Sequence, residues 1–486
     1  MDNKLNNIYC KRNIGMMMDL YELTMANGYF KQEKKDTTKV AFDVFFRKNP
    51  DQGGFSIFAG LEQVIEYIEG LHFSDEDVAY LKSLNLFTED FLEYLRDFKF
   101  TGDVYAFREG TVMYPNEPII TVVADLIQAQ IVETEILAQV NHQSLIATKA
   151  RRIVKAAGDR PVSDFGARRA HNNDAAIYGA RAAVIGGVNG TATVSAGQYF
   201  DIPVGGTMAH SWVMYYEDEI TSFRKFAEIY PDNCILLVDT YDVLKSGVPN
   251  AIKVFDEMKA KNIKSKNFGI RIDSGDLAYL TKATRKMLDE AGYPDAKIVI
   301  SNSLDEYTIA SILGQGGQVD SFGVGERMIT SKSEPVFGAV YKLCAVEKDG
   351  NMEPRIKISE AVEKITNPGI KDVYRIYNED GQAIADLITK KGEEVNVQEK
   401  YRFIDPEKPW KKREFVNCTA KKLQVQVIKN GKRIYENEKV TDIADYVREQ
   451  LDNEIWAEEQ RFENPHRHYV DMSRDYFEMK MKMLEK

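Results

Sequence analysis

Short apolar runs, each followed by an acidic, small polar or glycine residue, recur between residues 162 and 324 and constrain the fold of this chain more than any other feature. Four of these runs cover residues 234–238, 268–272, 296–300 and 319–322, and they are followed by Asp239, Asp273, Ser301 and Gly323. The intervals between them are typical of βα units, and residues 277–291 have the apolar spacing of an amphipathic helix. The pattern therefore predicts parallel strands joined by helices.

Two architectures arrange parallel strands of this kind. In a β/α barrel the chemistry gathers at the C-terminal ends of the strands, which is where the polar residues of this repeat fall. A doubly wound open sheet also binds its ligands at strand ends, so the spacing alone fits both architectures. Either arrangement predicts a functional site formed by residues that follow the strands.

The regions on either side of the repeat follow different patterns. Residues 16–29 have helical spacing and residues 40–47 are rich in β-forming side chains, which together predict an α+β domain. A long helical stretch at residues 126–150 is expected to cross between domains, and the charged tail is expected to form a folded accessory region. We predict an N-terminal domain at residues 1–140, an active-site domain at residues 141–345, and a C-terminal region at residues 346–486 that packs partly on the N-terminal domain.

Composition narrows the class of protein. The chain has 486 residues, of which 44% are hydrophobic, enough for more than one compact core. Its net charge is −11 and its basic residues are scattered, so nucleic-acid binding is not expected. The four cysteines lie far apart, which argues against a zinc site or a disulfide framework. The first residues lack the apolar core of a signal peptide, and no later run is apolar for about 20 residues, so we expect a cytoplasmic protein without membrane spans.

His210 stands in a glycine-rich stretch, residues 205–211 (GGTMAHS). A neutral imidazole nitrogen is nucleophilic near neutral pH, and nearby backbone N–H groups can hold phosphoryl oxygens. The histidine is therefore a candidate phosphoryl acceptor. The same sequence is compatible with a surface histidine or with one that is hydrogen-bonded in the core.

Residues 271–276 (RIDSGD) set an arginine and two carboxylates at the end of a predicted strand. The planar guanidinium of Arg271 suits a carboxylate ligand, while the aspartates can orient ribose hydroxyls or hold hydrated Mg²⁺ beside phosphates. A strand end followed by a helix with Asp273 or Ser274 as its N-cap explains the same residues without any ligand.

Two further motifs join a glycine to a possible ligand contact. Residues 322–326 (FGVGE) run from a predicted strand into a glycine pair, as a phosphate-binding loop requires, although ordinary turns use glycine as well. Residues 164–169 (DFGARR) place an aromatic ring near two guanidinium groups. Phe165 can stack on a heteroaromatic ligand and an arginine can bind pyrophosphate, or the arginines can form a solvated basic face.

Taken in order, these motifs resemble those of the nicotinate phosphoribosyltransferases, which are type II phosphoribosyltransferases. The ordered set also includes residues 19–26 (DLYELTMA), 58–62 (FAGLE) and 238–242 (VDTYD), and it spans about residues 19–346. The resemblance implies an α/β fold with an irregular β/α barrel and a flanking α+β domain, in a homodimer whose active sites lie between subunits. It also implies formation of nicotinate mononucleotide and pyrophosphate from nicotinate and phosphoribosyl pyrophosphate, coupled to ATP hydrolysis.

The resemblance also implies roles for single residues. ATP would phosphorylate His210, and Asp239 would orient this histidine through a hydrogen bond. Tyr21, contributed by the neighbouring subunit, and Phe165 would enclose the pyridine ring. The other expected contacts are Arg271 and Thr207 with the nicotinate carboxylate, Arg168 with phosphates, Asp273 with ribose or Mg²⁺-pyrophosphate, and amides around Ser303, Gly325 and Glu326 with the 5′-phosphate.

Two positions bear on how this site would work. The family usually has a small hydroxyl residue where Glu326 stands, and a carboxylate there should repel a phosphate unless the side chain turns away or pairs with Arg327. Ala192 stands where the related nicotinamide phosphoribosyltransferases have an aspartate, which favours nicotinate as the substrate.

Three alternatives follow from the same residues. A nicotinamide phosphoribosyltransferase is disfavoured by Ala192. A catalytically weakened paralogue that senses metabolites of the NAD pathway is suggested by Glu326. An unrelated β/α-barrel lyase or aldolase lacks an obvious Schiff-base lysine at the predicted strand ends and leaves the arginine and glycine motifs unexplained.

Overall fold

The structure, a computed structural model, describes residues 13–32, 38–263 and 265–485. The chain divides into two compact units, one containing residues up to Leu145 and from Val336 onwards, the other containing Ile146–Pro335. Cys10 and the segment compared with signal peptides lie outside the described residues. No helix among the described residues is both long enough and apolar enough to cross a membrane.

The secondary structure is mixed. The helices are α1 Leu20–Lys31, α2 Leu61–Gly70, α3 Asp75–Ser83, α4 Glu89–Arg96, α5 Leu126–Gln130, α6 Glu133–Ala157, α7 Asn173–Ile185, α8 Val194–Phe200, α9 His210–Tyr215, α10 Glu219–Ile229, α11 Val248–Ala260, α12 Leu277–Glu290, α13 Glu306–Gly314, α14 Glu326–Ile329, α15 Val440–Glu449 and α16 Arg474–Leu484. The strands are β1 Lys39–Phe45, β2 Ser56–Ile57, β3 Asp103–Phe107, β4 Val112–Met113, β5 Ile120–Asp125, β6 Val162–Asp164, β7 Gly190–Thr191, β8 Asn233–Leu237, β9 Asn267–Ile272, β10 Lys297–Ile300, β11 Ser321–Val324, β12 Val340–Lys348, β13 Asn351–Pro354, β14 Lys371–Tyr377, β15 Ala383–Lys390, β16 Tyr401–Ile404, β17 Lys412–Phe415, β18 Thr419–Lys422, β19 Gln424–Lys429, β20 Lys432–Arg433 and β21 Val470–Met472.

The unit formed by Ile146–Pro335 contains a six-stranded sheet in the order β7-β6-β11-β10-β9-β8. All of its strand pairs are parallel. Strands β8 to β11 coincide, within about two residues, with the four apolar runs of the sequence repeat, and most of their side chains are buried. Strands of a parallel sheet have apolar residues on both faces when both faces are covered. The predicted parallel strands with helical connections are therefore confirmed, and their C-terminal ends share one edge of the sheet.

The other unit contains a seven-stranded antiparallel sheet in the order β13-β12-β1-β5-β3-β19-β20. Three of its strands precede residue 145 and four follow residue 336, so the two ends of the chain build one sheet. Its core is apolar and aromatic; Phe42 of β1 stacks on Tyr341 of β12 with ring centroids 4.7 Å apart. A second, six-stranded sheet in the order β17-β16-β21-β15-β14-β18 contains the other six described strands that follow residue 336.

Buried charged side chains of the C-terminal segment also bind groups of the N-terminal segment within this unit. Lys371 Nζ lies 2.5 Å from Asp43 Oδ2. Arg375 donates to both carboxylate oxygens of Asp386 and to the carbonyl of Val112. Removing one partner of a buried pair leaves an uncompensated charge, which typically costs about 3–5 kcal/mol. The C-terminal segment therefore contributes to the stability of the N-terminal strands.

The long helical stretch predicted at residues 126–150 consists of two helices in the structure. Helix α5 ends at Gln130 and α6 begins at Glu133, with Ile131 and Val132 buried between them. The helix predicted at residues 16–29 begins only at Leu20, because the side chain of Glu22 accepts a hydrogen bond from the backbone N–H of Asp19 at 3.1 Å. A carboxylate at this position is a common signal for the start of a helix.

Candidate active site

Most of the candidate site residues in the Ile146–Pro335 unit directly follow strands of the parallel sheet. The C-terminal ends of these strands lie at one edge of the sheet. Phe165 follows β6, Ala192 follows β7, Val238 and Asp239 follow β8, Asp273 follows β9, Ser301 to Ser303 follow β10, and Gly325 follows β11. Thr207 and His210 come from the loop before α9 and from its first residue. This edge is where parallel α/β folds bind their ligands. The sheet topology therefore places these residues in one candidate site.

His210 contacts two oxygen-bearing side chains at this edge. Its Nδ1 lies 3.1 Å from the hydroxyl of Thr240, and its Nε2 lies 3.7 Å from Oδ2 of Asp273. The side chain is 40% exposed, which leaves the ring accessible to a ligand. Thr240 was not singled out from the sequence, although it directly follows Asp239.

Asp239 has different partners from the one expected. The hydrogen bond to His210 that the family resemblance implied is not made in this structure, because Oδ2 of Asp239 accepts from the backbone N–H of Asp273 at 3.1 Å and from the hydroxyl of Ser274 at 2.6 Å. Its Oδ1 is buried and has no hydrogen-bond partner among the described residues. Asp239 therefore reaches His210 only indirectly, through Asp273.

Asp273 is available for a ligand because it does not cap the next helix. The N-cap of α12 is Asp276, which accepts a hydrogen bond from the backbone N–H of Tyr279 at 3.0 Å. The two residues considered from the sequence as the N-cap, Asp273 and Ser274, do not cap this helix. Asp273 instead accepts a hydrogen bond from Ser301 Oγ at 2.5 Å while its other oxygen faces His210.

Arg271 presents a partly buried guanidinium group with unused hydrogen-bonding capacity. Its Nη1 donates to the hydroxyl of Thr207, so the structure brings these two predicted residues together. Its Nε is buried without a hydrogen-bond partner among the described residues. Burial lowers the pKa of Arg271, Asp273 and Asp239 oppose this effect, and the positive charge of Arg168 adds to it. Two arginines near one another in this way attract an anion.

The segment around Phe165 is fixed by buried contacts. The backbone N–H of Phe165 donates to the carbonyl of Val324 at 2.8 Å. The carboxylate of Asp164 accepts from the backbone N–H of Gly166 at 2.8 Å and from the hydroxyl of Thr191 at 2.7 Å, and burial raises its pKa. Arg168 belongs to the short turn Ala167–Arg169 that follows, and its side chain is exposed.

The segment proposed for phosphate contacts after β10 has an unusual backbone. Asn302 and Ser303 have φ angles of 84° and 48°, which are in the left-handed region. Residues other than glycine adopt this region uncommonly, and such strained positions cluster at functional sites, although Asp51 and Gln52 form another such pair elsewhere in the molecule. The backbone therefore turns sharply at Ser303, where the family resemblance implied a contact with the 5′-phosphate.

Glu326 pairs with Lys332 and lies near Arg169, and it does not pair with Arg327. Its Oε1 accepts from Lys332 Nζ at 2.7 Å, and its Oε2 lies 3.8 Å from Nε of Arg169. Lys332 lowers the pKa of Glu326, and Arg169 and Arg327 add to the effect. Arg327, the partner expected from the sequence, instead donates to Asp305 at 2.5 Å.

Tyr21 lies in the first unit, on helix α1, and its side chain is 43% exposed. Burial of part of the side chain raises the pKa of Tyr21, and a hydrogen bond to Glu133 adds to this effect. Glu22 beside it is buried, and burial raises the pKa of its carboxyl to about 7. The phenol is therefore neutral at physiological pH and presents an aromatic surface.

Metal ligands do not form a separate cluster in the described part of the chain. No group of three or more His, Cys, Asp or Glu side chains there is arranged to hold a metal ion.

Family models match nearly the whole chain. The nicotinate phosphoribosyltransferase N-terminal domain matches residues 16–141, the nicotinate phosphoribosyltransferase family matches residues 161–394, and the corresponding C-terminal domain matches residues 370–480. The chain is 45% identical over 473 residues to nicotinate phosphoribosyltransferase of Bacillus subtilis (strain 168), covering 97% of this chain and 95% of that protein. It is 32% identical over 519 residues to the Dictyostelium discoideum nicotinate phosphoribosyltransferase, covering 95% and 87% of the two chains.

Solved structures share the same fold. The crystal structure of human nicotinic acid phosphoribosyltransferase matches with a TM-score of 0.84 at 25% identity and covers 96% of this chain and 100% of that one. The nicotinate-nucleotide pyrophosphorylase of Pyrococcus furiosus matches with a TM-score of 0.69 at 25% identity, covering 92% and 98%.

The fold and the site define the class as a type II phosphoribosyltransferase-like α/β protein whose parallel sheet forms half of a barrel. The predicted β/α barrel is therefore confirmed, and the alternative of a doubly wound open sheet is not. The chain belongs to the nicotinate phosphoribosyltransferase family. This membership excludes the unrelated lyase or aldolase considered from the sequence.

Proposed function

We propose that this protein transfers the phosphoribosyl group of phosphoribosyl pyrophosphate to nicotinate, forming nicotinate mononucleotide and pyrophosphate for NAD biosynthesis. The observation that carries the proposal is the guanidinium of Arg271, which is held by Thr207 at the strand-end edge and keeps a buried, unpaired Nε. A planar carboxylate satisfies such a group with two parallel hydrogen bonds. Ala192 supports the same substrate, since no carboxylate stands at that position to repel nicotinate.

In the proposed reaction the pyridine nitrogen of nicotinate attacks C1 of the ribose. The bond from C1 to the pyrophosphate oxygen breaks, and its electron pair leaves with pyrophosphate. The ribose carries positive charge in the transition state, while the leaving group is strongly anionic. Arg168 would bind the leaving group, and Asp273 would orient the ribose or contact Mg²⁺ bound to the pyrophosphate group of phosphoribosyl pyrophosphate. When bound, Mg²⁺ would neutralise negative charge on the leaving pyrophosphate. In proteins it is usually held by one or two carboxylates and by the phosphates of the substrate.

His210 has the proposed role of phosphoryl acceptor from ATP. A ring nitrogen attacks the γ-phosphorus, and the bond to the bridging oxygen breaks as ADP leaves. Water later attacks the phosphorus of the phosphohistidine, the P–N bond breaks, and phosphate is released. The exposure of His210 and its contacts with Thr240 and Asp273 support this role, because they hold the ring at the site without burying it. The added negative charge would lie beside the positive charge that develops at the ribose, and it would favour the productive binding mode until hydrolysis resets the site.

The proposed assembly is a cytoplasmic homodimer. Tyr21 is an exposed aromatic residue on α1, and enclosure of the pyridine ring between Tyr21 of one subunit and Phe165 of the other would complete each site.

One assay tests the proposal directly. Purified protein is mixed with Mg²⁺, phosphoribosyl pyrophosphate and either nicotinate or nicotinamide, with and without ATP, and mononucleotide and ADP are followed together. We expect turnover of nicotinate that ATP stimulates and that produces ADP. ATP-insensitive turnover of nicotinamide would contradict both the substrate and the coupling, whereas no product from either base would contradict the transferase activity and support the metabolite sensor.

Glu326 gives a prediction about phosphate affinity. Changing Glu326 to Gln is expected to lower the KM for phosphoribosyl pyrophosphate by about threefold to tenfold. The carboxylate repels the phosphate, and it also pairs with the cationic side chains of Lys332 and Arg169, which would otherwise attract the phosphate. The KM is measured at low and moderate ionic strength, and the difference should shrink as salt screens the charges. Glu290→Gln, which removes an exposed charge from α12, is the control. An unchanged or higher KM in the Glu326 variant would show that the carboxylate does not compete with the substrate.

A further inference from the structure

Gly323 of β11 faces the ring of Phe165 at a distance that leaves no room for a side chain. A methyl group placed on Gly323 would lie 2.3 Å from Cε2 and 2.4 Å from Cδ2 of the ring. Carbon atoms in contact are normally about 3.5–4 Å apart. The aromatic ring therefore lies directly against the bare backbone of the strand.

The backbone of Phe165 cannot move away from Gly323. Its N–H is bonded to the carbonyl of Val324, the residue after Gly323, at 2.8 Å. The next residue, Gly166, is held by Asp164 and packs so closely on Ile329 that an added Cβ would lie 2.6 Å from the Cβ of Ile329. A group added at Gly323 can therefore be accommodated only by rotation of the Phe165 ring.

We infer that Gly323 is a positioning residue for substrate binding. Because Gly323 has no side chain, the Phe165 ring can lie against its Cα, and this contact fixes the orientation in which the ring stacks on a flat heteroaromatic substrate. The inference rests on the proposed function, in which Phe165 stacks on the pyridine ring of nicotinate. The inference also gives different roles to the two glycines of the FGVGE motif. Gly323 serves the aromatic ring, whereas Gly325, at the end of the strand, is the glycine proposed to lie near phosphate.

Gly323→Ala is the first test. The methyl group forces the ring out of its plane by about 1 Å or more, and misplacement of this size can cost as much as a hundredfold in rate. We expect the KM for nicotinate to rise about tenfold or more, with the KM for phosphoribosyl pyrophosphate changed by less than about twofold. Because KM does not depend on the concentration of active enzyme, it remains measurable if part of the variant fails to fold. Gly314→Ala is the matched control, since it adds a methyl group at the end of α13 with no atom within 4 Å.

A double-mutant cycle with Phe165→Ala separates positioning from a general structural effect. If Gly323 acts through the ring, the added methyl group has no effect once the ring is absent. Phe165→Ala and the double variant should then share one KM for nicotinate and nearly one thermal unfolding midpoint. If the methyl group instead damages the sheet, the double variant should be worse than Phe165→Ala in both measurements.

The outcomes distinguish this inference from the proposed function. If Phe165→Ala leaves the KM for nicotinate unchanged, the proposed stacking is wrong. If Phe165→Ala raises the KM but Gly323→Ala does not, or if the methyl group raises it further in the absence of the ring, the positioning role of Gly323 is overturned. An increase with Gly323→Ala that disappears in the Phe165→Ala background supports it.

Discussion

Arg271→Ala is expected to lower kcat/KM for nicotinate by about a thousandfold, because two hydrogen bonds to a carboxylate are each worth about 1.5–3 kcal/mol. The guanidinium is partly buried, keeps an unpaired Nε and is held by Thr207, so its orientation is set before the ligand binds. Groups that are oriented in advance lose little entropy on binding. Initial rates over a range of nicotinate concentrations, at saturating phosphoribosyl pyrophosphate, give the ratio.

Two companion measurements assign the loss to carboxylate recognition. Arg271→Lys keeps the charge but not the planar fork, so we expect its kcat/KM to lie between those of the parent and the alanine variant. Turnover of nicotinamide, which has no carboxylate, should fall much less than turnover of nicotinate. Arg224→Ala removes an exposed arginine that pairs with Glu257 and serves as the control for loss of a positive charge. Equal losses for the acid and the amide would show that Arg271 does not recognise the carboxylate.

His210→Ala is expected to abolish coupled ATP hydrolysis, a fall of at least about a thousandfold, while turnover of nicotinate continues at the ATP-independent rate. The variant removes the only proposed acceptor for the phosphoryl group, whereas the groups proposed to bind nicotinate and phosphoribosyl pyrophosphate remain. ADP and mononucleotide are measured in the same reaction, and transfer of label from γ-labelled ATP to the protein is measured separately.

The contacts of His210 supply finer variants. Thr240→Val removes the hydroxyl that lies 3.1 Å from Nδ1 and keeps the ring, so it should slow labelling without preventing it. His72→Ala, at an exposed histidine of the first unit, is the matched control and should label like the parent. A His210→Ala protein whose nicotinate turnover responds to ATP as the parent's does would rule out phosphohistidine coupling.

The parallel sheet could be predicted from the sequence because most residues of its longer strands are buried. In β8 and β10 nearly every side chain is apolar, and the polar residue that follows marks the strand end. Such runs carry their own signal. Strand β7 has only two residues, Gly190 and Thr191, and its sequence contains no comparable pattern. It forms a strand because β6 lies alongside it.

The partners of charged site residues were harder to predict because sequence neighbours often point in different directions. Arg327 follows Glu326 directly, and this adjacency suggested an ion pair. In the short helix α14, however, successive side chains project about 100° apart, so residues i and i+1 do not face each other. Glu326 therefore reaches Lys332, while Arg327 reaches Asp305.

The contacts of His210 depend on the loops after different strands. Thr240 follows β8 and Asp273 follows β9, and only the parallel pairing of these strands brings their ends together around the histidine. The resemblance gave Asp239 the role of orienting His210 and gave Asp273 a contact with ribose or Mg²⁺-pyrophosphate. The family resemblance implied that Asp239 would contact the ring, but Asp273 does so, because the hydrogen bonds from Ser274 and Ser301 orient the two carboxylates differently.

The sheet built from both ends of the chain has a consequence for synthesis on the ribosome. Strands β1, β3 and β5 emerge early, but β1 pairs with β12 and β3 pairs with β19, which are made only after the whole half-barrel unit. At about 5–20 residues per second, the early strands wait on the order of tens of seconds with two open edges. Open edges pair readily with other chains. The nascent N-terminal strands are therefore the part of this protein for which a chaperone matters most, while Ile146–Pro335 contains all six strands of its sheet before translation ends.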